Sequence, residues 1–268
     1  MKSIRIEFEK LNNTRDLGGL YTKDGRKIKN GVLFRSGRLS VSSDNDLRKL
    51  KNLNIRQVID MRSEAEIREA PNPKMPWASY QWLPMVEDAM AGITRDADSN
   101  ASFSRTLLKN IRNDRKYGRR YMTNLYESLV REEHSQRQYG RFLRLLADAE
   151  IPVLWHCTGG KDRAGLATVF LLEILGVDRN EIIKDYLATN EYLESTMLKR
   201  FRYIRFLLPW VYDNYSEGVT DVMGARQEYI DAAYAVMERV YGSVERFMAE
   251  ALGADEELRS RLRAKFLE

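Results

Sequence analysis

The sequence predicts an α/β fold: a central sheet with a helical flank. Three observations predict it. Short apolar runs alternate with amphipathic stretches over the first two thirds of the chain, and helical patterns alone follow. One apolar run, residues 151–155, feeds a glycine-containing turn, and an apolar helical pattern begins directly after it. Gly and Pro punctuate the early part at short intervals, as they do between strands.

The elements follow in order. Gly18-Gly19 and Asp24-Gly25 are turn signals, and residues 27–28 and 32–35 read as short strands. Residues 43–53 read as a helix, since Ser43 can cap it and Leu47, Leu50 and Leu53 share a face. Residues 55–60 read as a buried strand with a charged tip at 60–63. Residues 64–69 fit a short helix stopped by Pro71, Pro73 and Pro76, and 81–84 fit another strand. Residues 85–100 are polar and aperiodic, which reads as a loop. Residues 102–129 are helical in pattern, in two pieces broken near Gly118. Between 105 and 120 this stretch has seven basic residues and one acidic one. It reads as a solvated face or as a basic wall beside an anion site, which makes 85–125 a candidate helical lid. Residues 139–150 form an amphipathic helix, 151–155 a central strand and 164–175 an apolar helix. Residues 179–188, 191–207, 225–241 and a segment from Ser243 are helical. No linker rich in Pro, Gly or Ser interrupts the chain, so 1–268 is expected to be one domain.

Composition narrows the function classes. With 268 residues, 43% of them hydrophobic, a sizeable core is within reach. No apolar run is long enough to cross a bilayer, so no stable membrane insertion is expected. The N-terminus lacks the apolar stretch of a secretory signal, which points to a cytoplasmic location and leaves export by another route open. A net charge of +5 suits an acidic substrate but gives no case for a nucleic-acid partner. The single cysteine excludes an internal disulfide and a multi-cysteine metal site, and it fits a reducing compartment. The two histidines, His134 and His156, exclude a His-rich metal site.

The chemistry lies in IPVLWHCTGGKDRAGLATVFLLEILG, residues 151–176. A strand, a Gly-rich turn and a helix start place unpaired backbone N–H groups around one point, where the helix dipole also favours an anion. Gly159 and Gly160 let successive amides curl around a phosphate. Cys157 opens this loop and Arg163 closes it, five residues intervening. A thiolate in such a ring is stabilised by the donors that bind phosphate, so its pKa should lie well below the ~8.5 of a free thiol. Arg163 can hold two phosphate oxygens at once. In-line transfer to sulfur would give a phosphocysteine that water hydrolyses. No metal or cofactor is required, because arginine and amides neutralise the charge on the equatorial oxygens. The phosphate-binding candidates are Thr158, Gly159, Gly160, Lys161, Asp162 and Arg163. A lone C-x5-R is a weak signal and a lone cysteine is commonly a small buried hydrophobe. That plain reading leaves His156, both glycines, Lys161, Gly165 and the flanking elements unexplained.

These residues resemble the signature of the protein tyrosine phosphatases, most closely the bacterial branch with an HCxxGKDR loop. NTRDLGG at 13–19, LFRSGRLS at 33–40, VIDMRSEAE at 58–66, DYLATN at 185–190 and YGSVERFM at 241–248 are similar to other blocks of that family. The likeness is thinnest around 87–120. It implies a cysteine-phosphatase fold with a mostly parallel sheet flanked by helices. It also implies activity on phosphotyrosine and, in some members, on phosphoserine, phosphothreonine or phosphoinositides. The expected partners are a phosphotyrosine protein or a phosphoinositide, with a phosphate or sulfate ion fitting the loop. By carry-over Cys157 is the nucleophile and Arg163 the phosphate clamp.

A general acid should protonate the leaving oxygen. Asp162 is the first candidate, being inside the loop, and in this branch that aspartate is thought to serve. Asp60, at the tip of a strand, is the second. Asp88, Asp96 and Asp98 are weaker candidates. His156 is expected to order the loop through a hydrogen bond. Lys161 could reach a second phosphate on an inositol ring or remain solvated. Arg15, Asp16, Arg35 and Arg62 fit either salt bridges or the site, and Tyr229 and Tyr234 fit the core. Two other readings are a catalytically impaired phosphate-binding module and a rhodanese-type sulfurtransferase, although the latter needs no arginine at this spacing.

Ala164 departs from the family pattern, which has Ser or Thr directly after the arginine. A hydroxyl there can hydrogen-bond the sulfur as it leaves the phosphocysteine. Ala164→Thr is therefore expected to raise the steady-state rate and shrink the pre-steady-state burst. An unchanged steady-state rate would show that hydrolysis of the intermediate is not limited at this position.

Overall fold

The computed structural model describes residues 3–86, 101–207 and 209–268, with side chains described outside 101–105, 194–207 and 209–213. Its centre is a six-stranded sheet. In chain order the strands are β1 (Ile4–Arg5), β2 (Arg15–Asp16), β3 (Leu33–Ser36), β4 (Gln57–Asp60), β5 (Ser79–Trp82) and β6 (Val153–His156). They lie side by side as β1-β2-β3-β6-β4-β5. The four strands from β3 to β5 are parallel, and β1 and β2 add an antiparallel edge. The last residues of the three central strands, Ser36, His156 and Asp60, stand in one row. The segments leaving those strands therefore start together at the carboxyl edge, where open α/β sheets bind ligands.

Both faces of the sheet are covered, because successive side chains on a strand point to opposite sides. Phe34, Val58 and Leu154 face α1 (Asp44–Asn52) and pack with Leu39, Leu50 and Ile55. Leu33, Ile59, Val153 and Trp155 face the larger core. There the Trp155 ring meets Phe142 of α5 (Glu133–Asp148) edge-on at 5.4 Å. Its Nε1 donates to Thr168 Oγ1 of α6 (Arg163–Leu175) at 3.1 Å. α6 is apolar all round because it is buried along nearly its whole length. Gly176 ends it with a left-handed φ of 83°. Two short helices start on reciprocal caps: Ser43 with Asp46 for α1, and Ser63 with Glu66 for α2 (Glu64–Glu69).

The remaining helices are α3 (Ala101–Asn113), α4 (Tyr117–Arg131), α7 (Arg179–Leu207), α8 (Pro209–Met223), α9 (Gln227–Tyr241), α10 (Val244–Glu250) and α11 (Glu256–Phe266). Several differ from the sequence expectation. Residues 27–28 make isolated bridges to Tyr21 and Leu267 in place of a strand. The strand expected at 81–84 lies at 79–82. The helices expected at 179–188 and 191–207 are continuous, and α8 was not anticipated. The break expected near Gly118 falls at 114–116, where Asp114 Oδ1 accepts the Lys116 N–H and turns the chain. Of the candidate lid, 87–100 lies outside the described residues; α4 runs through its end and beyond, burying Met122 and Leu125 within it and Tyr126, Leu129 and Val130 after it. No helix among the described residues is long and apolar enough to cross a membrane.

Gly118 has a different task from breaking a helix. A Cβ on it would lie 2.3 Å from the carbonyl oxygen of Gly218 in α8, and one on Gly218 would lie 2.5 Å from Cγ2 of Ile111 in α3. Three helices thus cross at two absent side chains. Helix propensity alone favours alanine over glycine by ~1 kcal/mol, while forcing atoms into a packed contact costs about 1–3 kcal/mol. Gly118→Ala is expected to destabilise the fold, read as a lower urea midpoint with an unchanged m-value. A raised midpoint would mean that the helices separate at little cost.

Candidate active site

In the loop between β6 and α6 the backbone carbonyls and the backbone N–H groups meet different fates. His156 Nδ1 lies 3.2 Å from the Cys157 carbonyl. The Thr158 carbonyl accepts the Arg38 N–H at 2.9 Å. Asn13 Nδ2 donates to both Gly159 O and Gly160 O at 3.0 Å. Arg35 donates from Nε to Gly160 O at 2.8 Å and from Nη2 to Lys161 O at 3.1 Å. Five successive carbonyls are therefore drawn outward. Among the described residues, the N–H groups of Thr158, Gly159, Gly160, Lys161 and Asp162 donate to no protein acceptor. This is the donor set that an oxyanion requires. Gly160 makes the curl possible: its φ is 63°, and a Cβ there would lie 2.4 Å from Ser36 O.

Buried charges behind the loop hold these donors. Arg35 is fully buried and its Nη1 lies 3.3 Å from Asp185 Oδ2. Arg15 binds the other oxygen of Asp185 from Nε at 3.1 Å, and its Nη1 donates to Asn13 Oδ1. Asn13 sits at φ 57°, a conformation that Asn tolerates better than most residues. Burial pushes the Asp185 carboxyl up, but Arg15 and Arg35 outweigh it and hold it below its ordinary value. Arg15 and Arg35, which the sequence left between salt bridge and site, hold the loop from behind. Asp16 accepts the N–H groups of Gly18 and Gly31, which is a turn role.

Cys157 follows β6 directly and is 2% exposed. Arg163 is fixed by a carboxylate that the sequence reading did not single out. Its Nη1 and Nη2 bind Glu66 Oε2 and Oε1 at 2.6 and 2.8 Å, a two-pronged geometry. The Thr158 hydroxyl also donates to Glu66 Oε1, and the Ser63 N–H donates to Oε2 at 2.8 Å. The cap of α2 thus doubles as the anchor of the guanidinium. The Ser-x-x-Glu spacing within VIDMRSEAE was the available signal.

The structure also relocates two sequence candidates. Lys161 does not reach toward a second phosphate. The residue is 3% exposed, and its ammonium donates to the carbonyls of Val222 and Gly224 at the end of α8. Asp60 is wholly buried. It accepts from Arg62 N, Nε and Nη2, from Asn72 Nδ2 and from the Tyr80 hydroxyl. Although burial pushes its carboxyl up, the hydrogen bonds and charge of Arg62 hold it well below the carboxylate range. An acid so fully engaged as an anion is poorly suited to give up a proton. Arg62 completes this cluster with bonds to Ala70 O and Asn72 Oδ1. His156 belongs to it as well. Burial lowers its pKa, and its hydrogen bonds fit a neutral ring that donates from Nδ1 to Cys157 O and accepts at Nε2 from Asn72.

Asp162 precedes α6 with its side chain 13% exposed. Its Oδ1 accepts the Tyr126 hydroxyl at 2.7 Å and lies 3.5 Å from Lys161 Nζ. Ala164 is buried, with its carbonyl bonded by Thr168 Oγ1. Asp88, Asp96 and Asp98 lie outside the described residues. Tyr229 and Tyr234 are core residues, as expected.

Residues 6–268 match the model of the tyrosine phosphatase family. The triple specificity protein phosphatase PtpB of Mycobacterium tuberculosis is 32% identical over 245 residues, covering 84% of this chain and 87% of that protein. A Cupriavidus necator protein provisionally named a tyrosine-protein phosphatase is 29% identical over 256 residues, 93% of this chain and 85% of that protein. A tyrosine-protein phosphatase of Nostoc commune is 44% identical over 63 residues, 23% of this chain and 21% of that protein.

The Glu66–Arg163 pair has a pH signature. Burial pushes the Glu66 carboxyl up, but Arg163, then Thr158 and the Ser63 N–H, bring it down to about 2 from an ordinary 4.5. A lowered carboxylate pKa contributes stability above the unfolded value, and that stability is lost as pH falls through the folded value. The urea midpoint is therefore expected to fall between pH 4.5 and about 2 more steeply in the native chain than in Glu66→Gln. Parallel curves would show that the pair carries no differential stability.

Proposed function

The chain belongs to the tyrosine phosphatase family and is a protein-tyrosine phosphatase, and on that premise we propose a metal-independent, two-step hydrolysis through Cys157. In the first step the thiolate attacks phosphorus. The S–P bond forms as the P–O bond to tyrosine breaks, and Asp162 gives its proton to the departing oxygen. In the second step water attacks the phosphocysteine, Asp162 takes a proton from it, and the S–P bond breaks to free phosphate. The loop amides and Arg163 hold the three equatorial oxygens throughout. The single observation that carries this reading is the outward tethering of five consecutive loop carbonyls, which leaves the amides for the anion. Asp162 is preferred to Asp60 as the acid because Asp60 is saturated with donors.

For substrate class, phosphotyrosine peptides rank first. The name of PtpB gives that relative three specificities, and phosphoserine and phosphothreonine enter this reading on that likeness. Phosphoinositides rank below them, since the Lys161 ammonium is engaged by two backbone carbonyls. A cytoplasmic setting is part of the proposal, because a lone thiol nucleophile works best in a reducing medium.

Phosphate release should be measured without added metal for the native chain and Cys157→Ser on phosphotyrosine, phosphoserine and phosphoinositide substrates. The native chain should release phosphate fastest from phosphotyrosine, and Cys157→Ser should fall to background. Phosphate bound by the native loop with no turnover of any substrate would instead support an impaired binding module, with Ala164 as the first suspect.

A further inference from the structure

We propose that Tyr126, backed by Tyr186, is a positioning residue that fixes the Asp162 carboxyl so that its acid proton sits on Oδ2. The proposal rests on Asp162 being the general acid. Oδ1 is the oxygen that the protein occupies: the Tyr126 hydroxyl donates to it at 2.7 Å and Lys161 Nζ lies 3.5 Å away. Among the described residues no hydrogen bond is made to Oδ2, whereas Oδ1 accepts one. A proton shared with the leaving group therefore belongs on Oδ2, while the bond at Oδ1 fixes the rotation of the carboxyl.

The phenol is fixed in its turn. The Tyr186 hydroxyl donates to the Tyr126 hydroxyl at 2.8 Å, so the one Tyr126 proton is directed to Asp162. Both rings are buried, and Tyr126 is packed at 5.9 Å against Tyr186 and 5.8 Å against Tyr229. Burial, with the nearby Asp162 charge, keeps the Tyr126 hydroxyl protonated well above the ordinary tyrosine range. It is thus a donor at every pH at which a phosphatase of this kind would work. Holding a reacting group in place is worth most when little else restrains it, and here the restraint comes from α4 and α7, outside the loop.

Leaving-group dependence separates this role from a merely structural one. An acid matters for a poor leaving group such as tyrosine and hardly at all for p-nitrophenolate, which departs unassisted. kcat/KM should be measured on a phosphotyrosine peptide and on p-nitrophenyl phosphate for the native chain, Asp162→Asn, Tyr126→Phe and Tyr186→Phe. Tyr126→Phe, which keeps the ring packing, should lose about tenfold on the peptide and less than about twofold on p-nitrophenyl phosphate. Tyr186→Phe should show the same selectivity to a smaller degree, and it carries the test if Tyr126→Phe fails to fold. Asp162→Asn should show the largest selective loss. A selective loss in Asp162→Asn with equal losses, or none, on both substrates in the tyrosine variants would overturn the positioning role alone. An unselective Asp162→Asn would overturn the assignment of the acid, and the proposal with it.

Discussion

The buried carboxylate of Asp185 is the constraint on which the site depends. It sits between two guanidiniums, Arg15 and Arg35, all three out of water. Removing an ion from water costs several kcal/mol, and a buried pair often does no better than a hydrophobic replacement. Stability therefore does not explain this arrangement. Its geometry does, because Arg35 passes from Asp185 to two loop carbonyls, and Arg15 passes through Asn13 to the carbonyls on the same stretch. Burial, and then repulsion from Arg15, lowers the Arg35 pKa to about 10, which still leaves it charged at neutral pH. The loop is held open for an anion before the anion arrives, so little reorganisation is needed when charge develops.

A second carboxylate works from the opposite side. Glu66 is at once the capping residue of α2, the acceptor for Thr158 and the two-pronged partner of Arg163. Arg163 is thus aimed by a helix start on a separate part of the sheet edge. His156, Asn72, Asp60, Arg62 and Tyr80 form a neighbouring polar cluster in which each buried group has a partner. Asp60, the second of the acid candidates in the sequence, is bonded there by Arg62, Asn72 and Tyr80.

The legible part of the site was contiguous. A strand, two glycines and an apolar helix can be read from residues 151–176 because an amide nest is built from neighbours in the chain. The supports were not legible from spacing, since they come from far away: Glu66 is 97 residues from Arg163, Asn13 is 146 from Gly159 and Asp185 is 150 from Arg35. No periodicity fixes such pairs. The family-like blocks contained them, but a block does not say which of its residues faces the loop. The direction of Lys161 was equally hidden, because a lysine in a polar loop gives no sign that helix-end carbonyls await it. α8 escaped notice because its sequence, PWVYDNYSEGVTDVM, has Pro, Gly and β-branched residues of low helix propensity. Packing against α4 and α7 decides its state.

Lys161 and Asp162 are both bonded to the flanking helices, one to the end of α8 and one to Tyr126 of α4. The flanking helices are therefore no detachable accessory. A shortened enzyme built from the sheet and α6 alone would strand an ammonium and a carboxylate at the rim of its own nucleophilic loop.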